Sequence, residues 1–266
     1  MRCAACDFEF VWPIPPPEVT EAVYADSYFT GDGHGYGDYF ARERRANLRK
    51  AEARLERLAT LGVGRGARLL DIGCADGTVV REGVRRGLDA RGVEVSAEAL
   101  AAMAPEIRAR TVSSIAEATR TGAFDAVTFF DVLEHLPTFL EVLRQARDAV
   151  RSGGIVGVVV PVIDNVNARL LPWTWDQYKP PEHLWYFSTR SLRALLEQEV
   201  GRVEVEEVAW RRDARWLGVA RPTHTRLGGL ARRIEELSVR TLLAGHVIPR
   251  RAVVDSVAMW ARIPHA

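Results

Sequence analysis

The stretch Leu69-Leu70-Asp71-Ile72-Gly73-Cys74-Ala75-Asp76-Gly77-Thr78-Val79-Val80 decides the fold that this sequence predicts. An apolar run ends at an acid, breaks at a glycine-bearing turn, and resumes in a helix-like pattern. This order predicts strand, tight loop and helix, the first unit of a doubly wound α/β sheet. Glycines let the backbone approach a ligand closely, and a helix start offers unpaired N–H groups. The same turn also occurs as a plain packing device, so a nucleotide-like ligand needs a second signal.

That second signal is an acid one strand–helix unit later, in Arg91-Gly92-Val93-Glu94-Val95-Ser96. Glu94 stands at the predicted strand end, where its carboxylate can accept hydrogen bonds from the two hydroxyls of a ribose. Ser96 is placed to cap the next helix. A dinucleotide cofactor would favour a Gly-x-Gly-x-x-Gly loop, whereas this loop reads Gly-x-x-x-Gly. Asp76 inside the loop repels a phosphate and suits a cationic sulfonium better.

These residues and two later segments together resemble class I S-adenosylmethionine-dependent methyltransferases. The segments that carry the resemblance are Asp71–Gly77, Glu94, Phe124-Asp125-Ala126-Val127 and Asp131-Val132-Leu133-Glu134-His135-Leu136. Their order makes the resemblance specific, and within the family the chain is similar to ubiquinone-pathway O-methyltransferases and zinc-ribbon sugar methyltransferases. The resemblance implies an α/β, Rossmann-like sheet of seven strands with the last antiparallel, and S-adenosylmethionine as the cofactor.

The same resemblance implies which residues contact the cofactor. They are Tyr28, Asp71, Gly73, Cys74, Ala75, Gly77, Glu94, Val95, Ser114, Phe130 and Asp131. Ala75 stands where many relatives have a glycine, and the turn tolerates alanine if φ at this residue is negative. Ser114 stands where relatives often hold an acid for the adenine amine. We therefore expect a hydroxyl or backbone group to read adenine in this chain.

The composition argues against several classes of protein. The 266 residues, 47% of them hydrophobic, suffice for one sizeable α/β core and a small appendage. The net charge of +1 gives no overall field that favours nucleic acid or a membrane surface, and no Asn/Asp-Pro-Pro-Tyr/Phe motif for base flipping occurs. Without a signal peptide, a long apolar span or a disulfide framework, the chain is expected to be cytoplasmic.

Residues 1–37 are expected to form a cysteine knuckle and a lid, ahead of a methyltransferase domain over 38–266. Cys3 and Cys6 resemble half of a zinc ribbon. A structural zinc site needs four ligands, so we expect a metal-poor knuckle that the fold does not require; two ordinary thiols in a loose tail are the alternative. As in the family, the Tyr- and Gly-rich stretch 24–39 is expected to cover the cofactor, with Tyr28 and Tyr36 within reach of cofactor or substrate.

Asp131, Glu134 and His135 follow the fourth predicted strand, at the sheet edge where α/β proteins bind ligands. Similar Glu-x-x-Glu-His segments in ubiquinone-pathway O-methyltransferases have been tied to a divalent metal. Here the first acid is Asp131, whose shorter side chain reduces the reach of the set. We therefore expect no metal, and expect Glu134 and His135 to fix the loop and the adjoining helix start.

Residues 161–187 form a predicted aromatic insertion after the fifth strand, placed to wall a substrate pocket. Within it, His183 is a candidate general base, because a neutral imidazole can take a hydroxyl proton near physiological pH. A buried histidine that ties the insertion to the core is the alternative. Residues 211–251 carry ten arginines and a helical apolar pattern, which suits packing on the core or on a second subunit and leaves a homodimer open.

The sequence thus predicts methyl transfer from S-adenosylmethionine to a small molecule, most directly at a hydroxyl oxygen. The candidate catalytic residues are His183, His135 and Tyr36. Two alternatives remain: C-methylation of a nucleotide-linked sugar, and a non-catalytic cofactor-binding subunit. Nucleic acid is not an expected partner.

Overall fold

The structure is a computed structural model that describes residues 1–16, 18–19, 44–164, 168, 175, 177–210 and 254–265. The predicted lid tyrosines Tyr28 and Tyr36 lie outside the described residues. So do the arginine-rich segment 211–251 and much of the aromatic insertion between residues 165 and 176.

Strands and helices alternate through the described chain. The strands are β1 (Glu9–Phe10), β2 (Arg68–Ile72), β3 (Asp89–Val93), β4 (Thr111–Val112), β5 (Phe124–Phe130), β6 (Val150–Pro161), β7 (Trp185–Tyr186), β8 (Arg202–Trp210) and β9 (Val254–Arg262). The helices are α1 (Arg44–Thr60), α2 (Thr78–Arg85), α3 (Ala97–Ala102), α4 (Pro105–Arg108), α5 (Ile115–Thr119), α6 (Phe139–Ala149) and α7 (Thr189–Glu199), with a 3-10 turn at Leu133–His135. None of the described helices combines the length and the apolar character that a bilayer crossing requires.

One seven-stranded sheet organises the molecule, in the order β4-β3-β2-β5-β6-β9-β8. The first five strands in this order, from β4 to β6, pair in parallel with their neighbours. Strand β9 is antiparallel to both of its neighbours, β6 and β8. The prediction of a Rossmann-like sheet with an antiparallel last strand is therefore confirmed. The register aligns Ile72 of β2 with Val93 of β3 and Phe129 of β5, so the carboxyl ends of these three strands meet at one edge.

The core lies on both faces of this sheet. Helix α1 contributes Ala51, Leu55 and Leu58, which recur at helical spacing and are all buried on one face. Helices α6 and α7 cover the opposite face with a larger apolar cluster. Strand β5 is buried along almost its whole length, as expected for a strand covered on both sides.

Local signals in the sequence account for two of the observed helix starts. Ser96 caps α3 by accepting the Ala99 amide, and Ser188 caps α7 with a full capping box. One boundary differs: β6 begins at Val150, directly after α6, and includes Gly153 and Gly154. A glycine pair between a helical pattern and an apolar run typically separates helix from strand. Here the two glycines instead lie where the β5–β6 register shifts, and a Cβ on Gly154 would come within 2.7 Å of the Asp125 carbonyl oxygen.

The N-terminal segment is bonded to the rest of the protein. Strand β1 pairs antiparallel with β7, and the Val11 amide donates to the Leu184 carbonyl at 2.9 Å. The Phe8 ring stacks on Trp185 at 5.9 Å between centroids and also contacts Phe187 at 5.1 Å. These contacts argue against the expectation that the fold does not require this segment.

We expect Phe8→Ala to lower the unfolding free energy by about 1–3 kcal/mol, because it removes an aromatic ring packed on two others. Urea denaturation of the full chain measures this. Trp12→Ala is the matched control, since Trp12 is 66% exposed, and it should change stability by less than about 0.5 kcal/mol. Equal effects of the two substitutions would contradict the packing described here.

Candidate active site

The loop between β2 and α2 can form only with glycine at two positions. Gly73 and Gly77 have φ angles of 67° and 71°, in the left-handed region. A Cβ would lie 2.6 Å from the Val132 side chain at Gly73 and 2.3 Å from Ile107 at Gly77. Such approaches are shorter than van der Waals contact, so both glycines are structurally required. At both positions the absent side chain makes room for a neighbouring residue of the protein, so these glycines serve the packing of the loop, and its contact with a cofactor stays a prediction.

Ala75 occupies a strained position in the same loop. From the sequence, the turn was expected to tolerate alanine if φ at this residue is negative. The φ of Ala75 is 47°, so that condition is not met. Left-handed backbone costs an L-residue roughly 1–2 kcal/mol. A compensating bond is visible, because the Ala75 amide donates to the Glu94 carboxylate at 2.9 Å.

Glu94 lies directly after β3 and faces this loop. Its other carboxylate oxygen accepts the amides of Val95 and Ser96, both at 2.8 Å. The carboxylate is therefore held in place, and the oxygen bonded to Ala75 keeps further acceptor capacity. Val95 is 78% exposed, which leaves an apolar side chain beside Glu94 for a flat ring to cover. A ribose-bearing cofactor fits these two residues.

Two more of the predicted cofactor residues are buried beneath the loop. Asp71 accepts a hydrogen bond from Thr128 Oγ1 at 2.7 Å, and burial raises the pKa of its carboxyl to about 7. Burial also raises the pKa of the Cys74 thiol, which packs against Gly92. Both side chains therefore support the loop from below, and at Cys74 the backbone remains the group that a cofactor could meet.

Ser114 is exposed at the end of β4 and caps α5. Its Oγ accepts the Glu117 amide at 3.2 Å. The hydroxyl thus lies on the same sheet edge as the Glu94 carboxylate, since β4 pairs in parallel with β3. Its predicted contact with adenine stays a prediction.

Asp131 follows β5 in a left-handed conformation with φ 61°. Its carboxylate pairs with Arg54 of α1 at 2.8 Å, and the guanidinium lies 4.3 Å above the Phe130 ring. Although burial alone would raise the pKa of Asp131, Arg54 and Lys50 hold it below its usual value. Arg54 was not predicted as a site residue, because nothing in the local helical pattern distinguishes it from the other arginines of α1.

Glu134, His135 and His183 form a cluster at the same edge, called here the Glu-His-His cluster. One ligand atom from each lies within 4.8 Å of the other two. Glu134 Oε1 is 3.8 Å from His135 Nε2, and the two imidazole rings meet edge to face at 4.5 Å. The Leu184 amide donates to the Glu134 carbonyl at 2.9 Å, which docks the insertion on the 3-10 turn. The sequence named all three residues but did not predict that they meet.

Burial dominates the electrostatics of this cluster. It raises the pKa of Glu134 well above its usual value and lowers the pKa of both His135 and His183. Lys179 lowers the histidine pKa values further, while its own ammonium lies 3.6 Å from the Glu182 carboxylate. Both imidazoles are therefore neutral near physiological pH and can accept a proton or a cation.

A family model described as a methyltransferase domain matches residues 40–201. The chain belongs to this methyltransferase domain family. The matched residues include the glycine loop, Glu94, Asp131 and the Glu-His-His cluster, so the family prediction made from the motifs is confirmed. The sheet described above is that of class I S-adenosylmethionine-dependent methyltransferases.

Known proteins resemble this methyltransferase over different lengths. The ubiquinone biosynthesis O-methyltransferase of Xanthomonas campestris is 30% identical over 98 residues, which are 34% of this chain and 41% of that protein. The crystal structure of Burkholderia thailandensis 1,6-didemethyltoxoflavin-N1-methyltransferase contains bound 1,6-didemethyltoxoflavin and S-adenosylhomocysteine. Its match covers 98% of this chain and 97% of its own, with 19% identity and a TM-score of 0.57. Magnesium protoporphyrin IX methyltransferase of Synechocystis, with 11% identity, covers 92% of this chain and 98% of its own with a TM-score of 0.58. The two structures share the fold.

We expect Ala75→Gly to stabilise the protein by about 0.5–1 kcal/mol, because glycine adopts φ 47° without strain. Ala109→Gly is the matched control. Ala109 is exposed at the end of α4 with φ −64°, so glycine there should destabilise by a similar amount. Urea unfolding of both variants should give shifts of opposite sign, and a loss of stability in both would show that the loop carries no strain at Ala75.

Proposed function

We propose that this methyltransferase transfers a methyl group from S-adenosylmethionine to a hydroxyl oxygen of a small molecule. The observation that carries the proposal is the pair of neutral imidazoles, His135 and His183, at the sheet edge beside the cofactor loop. The name of the Xanthomonas relative supports oxygen as acceptor, although the match spans less than half of that protein. The Burkholderia structure shares the fold and its name states an N1-methyltransferase, so the fold alone does not select the atom.

The cofactor would be held by the loop and by the acids around it. Glu94 would accept the ribose hydroxyls with the acceptor capacity left on its carboxylate, while Val95 would cover one face of the adenine. The loop backbone, which Gly73 and Gly77 allow to pack closely on Val132 and Ile107, would contact the remainder of the molecule. Tyr28 of the predicted lid would close over it. The bound cofactor supplies an already activated methyl on a cationic sulfur, so the protein mainly aligns the acceptor and excludes water.

The hydroxyl proton would leave toward the His135–His183 pair. The His135 side chain is 15% exposed and that of His183 is 3% exposed, so His135 is the ring that an acceptor reaches first. His183 lies behind it and fixes its orientation through the edge-to-face contact. Tyr36 of the lid is a further candidate for contact with the acceptor. Proton removal by a positioned base contributes about 10²–10⁴ in rate.

Two alternatives retain the same cofactor site. In one, the methyl goes to carbon on a nucleotide-linked sugar; in the other, the chain binds cofactor without turnover as a partner subunit. The buried histidine pair favours proton removal, which a purely structural subunit would not need. We expect the reaction in the cytoplasm, and the acceptor to be a small molecule rather than nucleic acid.

Glu94→Gln should weaken S-adenosylmethionine binding roughly ten- to a hundredfold, because the charged acceptor of the ribose hydroxyls is lost. Titration calorimetry on the folded variant measures the change. Glu106→Gln, on the exposed first turn of α4, is the matched control and should bind as the parent does. Unchanged affinity in a folded Glu94→Gln protein would remove Glu94 from the cofactor site.

Incubation with methyl-deuterated S-adenosylmethionine and a metabolite extract should yield a product that carries the label as an O-methyl ether or ester, identified by mass and NMR. His135→Gln and His183→Gln should each lower turnover by about 10²–10⁴ at unchanged cofactor affinity. His265→Gln, at an exposed histidine after β9, should leave it unchanged. A label on carbon or nitrogen, or full turnover in both cluster variants, would contradict the proposal.

A further inference from the structure

The acids at this sheet edge differ in how their charge is compensated. Asp131 pairs with Arg54 at 2.8 Å, and Glu182 lies 3.6 Å from Lys179. Glu134 is 1% exposed, and within the described part of the chain its Oε2 has no hydrogen-bond partner. A buried polar atom without a partner costs about 1–3 kcal/mol. Oε2 of Glu134 is therefore an acceptor that an occupant of this site could satisfy.

His135 is oriented as a metal ligand is. His135 Nδ1 lies 3.1 Å from the Glu182 carbonyl oxygen, which can only accept, so the ring proton is on Nδ1. The lone pair of Nε2 then lies on the side of Glu134, 3.8 Å from Oε1. The His183 ring also interacts with the backbone of Gln177, which acts to raise its pKa. A backbone carbonyl that fixes the tautomer of an imidazole is the usual arrangement around a bound metal.

Glu134 and His135 lie close to the separation that one small cation requires, and a ligand atom of His183 lies within 4.8 Å of both. Ligand atoms at about 2.1 Å from a single ion lie roughly 3.4 Å apart. The 3.8 Å between Glu134 Oε1 and His135 Nε2 would need to close by only a few tenths of an ångström. A protonated, neutral Glu134 is the competing explanation of its burial. That explanation leaves Oε2 without a partner, whereas a cation satisfies the carboxylate and both imidazoles together.

We propose that Glu134, His135 and His183 bind one divalent first-row transition-metal ion. Two imidazoles and one carboxylate favour zinc, cobalt or manganese over magnesium, which prefers oxygen ligands. The ligand set departs from a Glu-x-x-Glu-His arrangement. Asp131 in the first position is held by Arg54 and is not part of the cluster, and His183 from the insertion provides the third ligand.

Three protein ligands leave a coordination position open to another molecule. An acceptor hydroxyl that occupies it would lose its proton more readily. With the ion bound, His135 and His183 would be ligands and not proton acceptors, so the ion would take over from them the role of promoting loss of this proton. This consequence for catalysis rests on the proposed O-methylation, but the binding of the metal does not. The two can therefore fail separately.

The test measures metal binding directly in the full chain. Cys3→Ser/Cys6→Ser is the background, because the amides of Ala5 and Cys6 lower the pKa of the Cys3 thiol and make the knuckle a competing metal ligand. After chelation and dialysis, Zn²⁺ and Co²⁺ are titrated separately. We expect one ion per chain by elemental analysis, a visible Co²⁺ spectrum without sulfur-to-metal charge transfer, and a rise in melting temperature with Zn²⁺.

In that background, Glu134→Gln and His183→Gln should each weaken binding by roughly a hundredfold or more, since even the loss of an outer partner costs about 10–100-fold. Glu141→Gln and His265→Gln, both at exposed positions, should bind as the background does. No stoichiometric ion in the folded background protein would overturn the proposal, as would equal affinity in Glu134→Gln. If a variant does not fold, the melting temperature of the background protein with and without Zn²⁺ tests the proposal. A rise supports metal binding, and no change overturns it. Metal binding without transfer to oxygen would support this site and contradict the proposed function.

Discussion

The hydrogen bond from the Ala75 amide to the Glu94 carboxylate holds the cofactor side of this protein together. It joins the loop after β2 to the end of β3 across 19 residues of chain, at 2.9 Å. The bond reaches the left-handed Ala75 and holds the carboxylate against the loop. The Glu94 oxygen that accepts this hydrogen bond can accept another one. The same carboxylate can therefore hold the loop and bind a ribose.

A second constraint places the chemical groups at the other side of the edge. The Leu184 amide binds the Glu134 carbonyl, and the Trp185 indole donates to the Leu136 carbonyl at 2.7 Å. These bonds dock the insertion on the 3-10 turn after β5. The β1 strand and Phe8 cover the insertion from outside. Through these layers the N-terminal segment supports the position of His183, although it lies far from it in sequence.

The parts of the fold that the sequence predicted are those with a local cause. β5 is an uninterrupted apolar run, Ser188 is a helix cap, and the glycines of the loop have no substitute, so each could be read from a few neighbouring residues. The parts it missed depend on distant pairs. Arg54 and Asp131 are 77 residues apart, and His135 meets the backbone of Glu182 over 47 residues.

Such pairs leave no periodic or compositional trace. The expectation of no metal stays a prediction: it rested on the shorter reach of Asp131, the local difference that the motif displays. The structure pairs that aspartate with Arg54 and brings in a histidine from the insertion. The φ of Ala75 was equally inaccessible, because it is set by Glu94 on the next strand and not by the loop sequence.

The acids around the cofactor loop also explain why a cationic ligand suits it. Burial raises the pKa of Asp71 to about 7, and the nearby Glu94 carboxylate acts in the same direction. Near neutral pH this buried carboxyl is therefore only partly ionised, since its charge has no full counterion. A cation that binds at this edge acts as Arg54 already does and favours the ionised form. Binding of a cationic cofactor and loss of the Asp71 proton are thus linked, and each must strengthen the other by the same free energy.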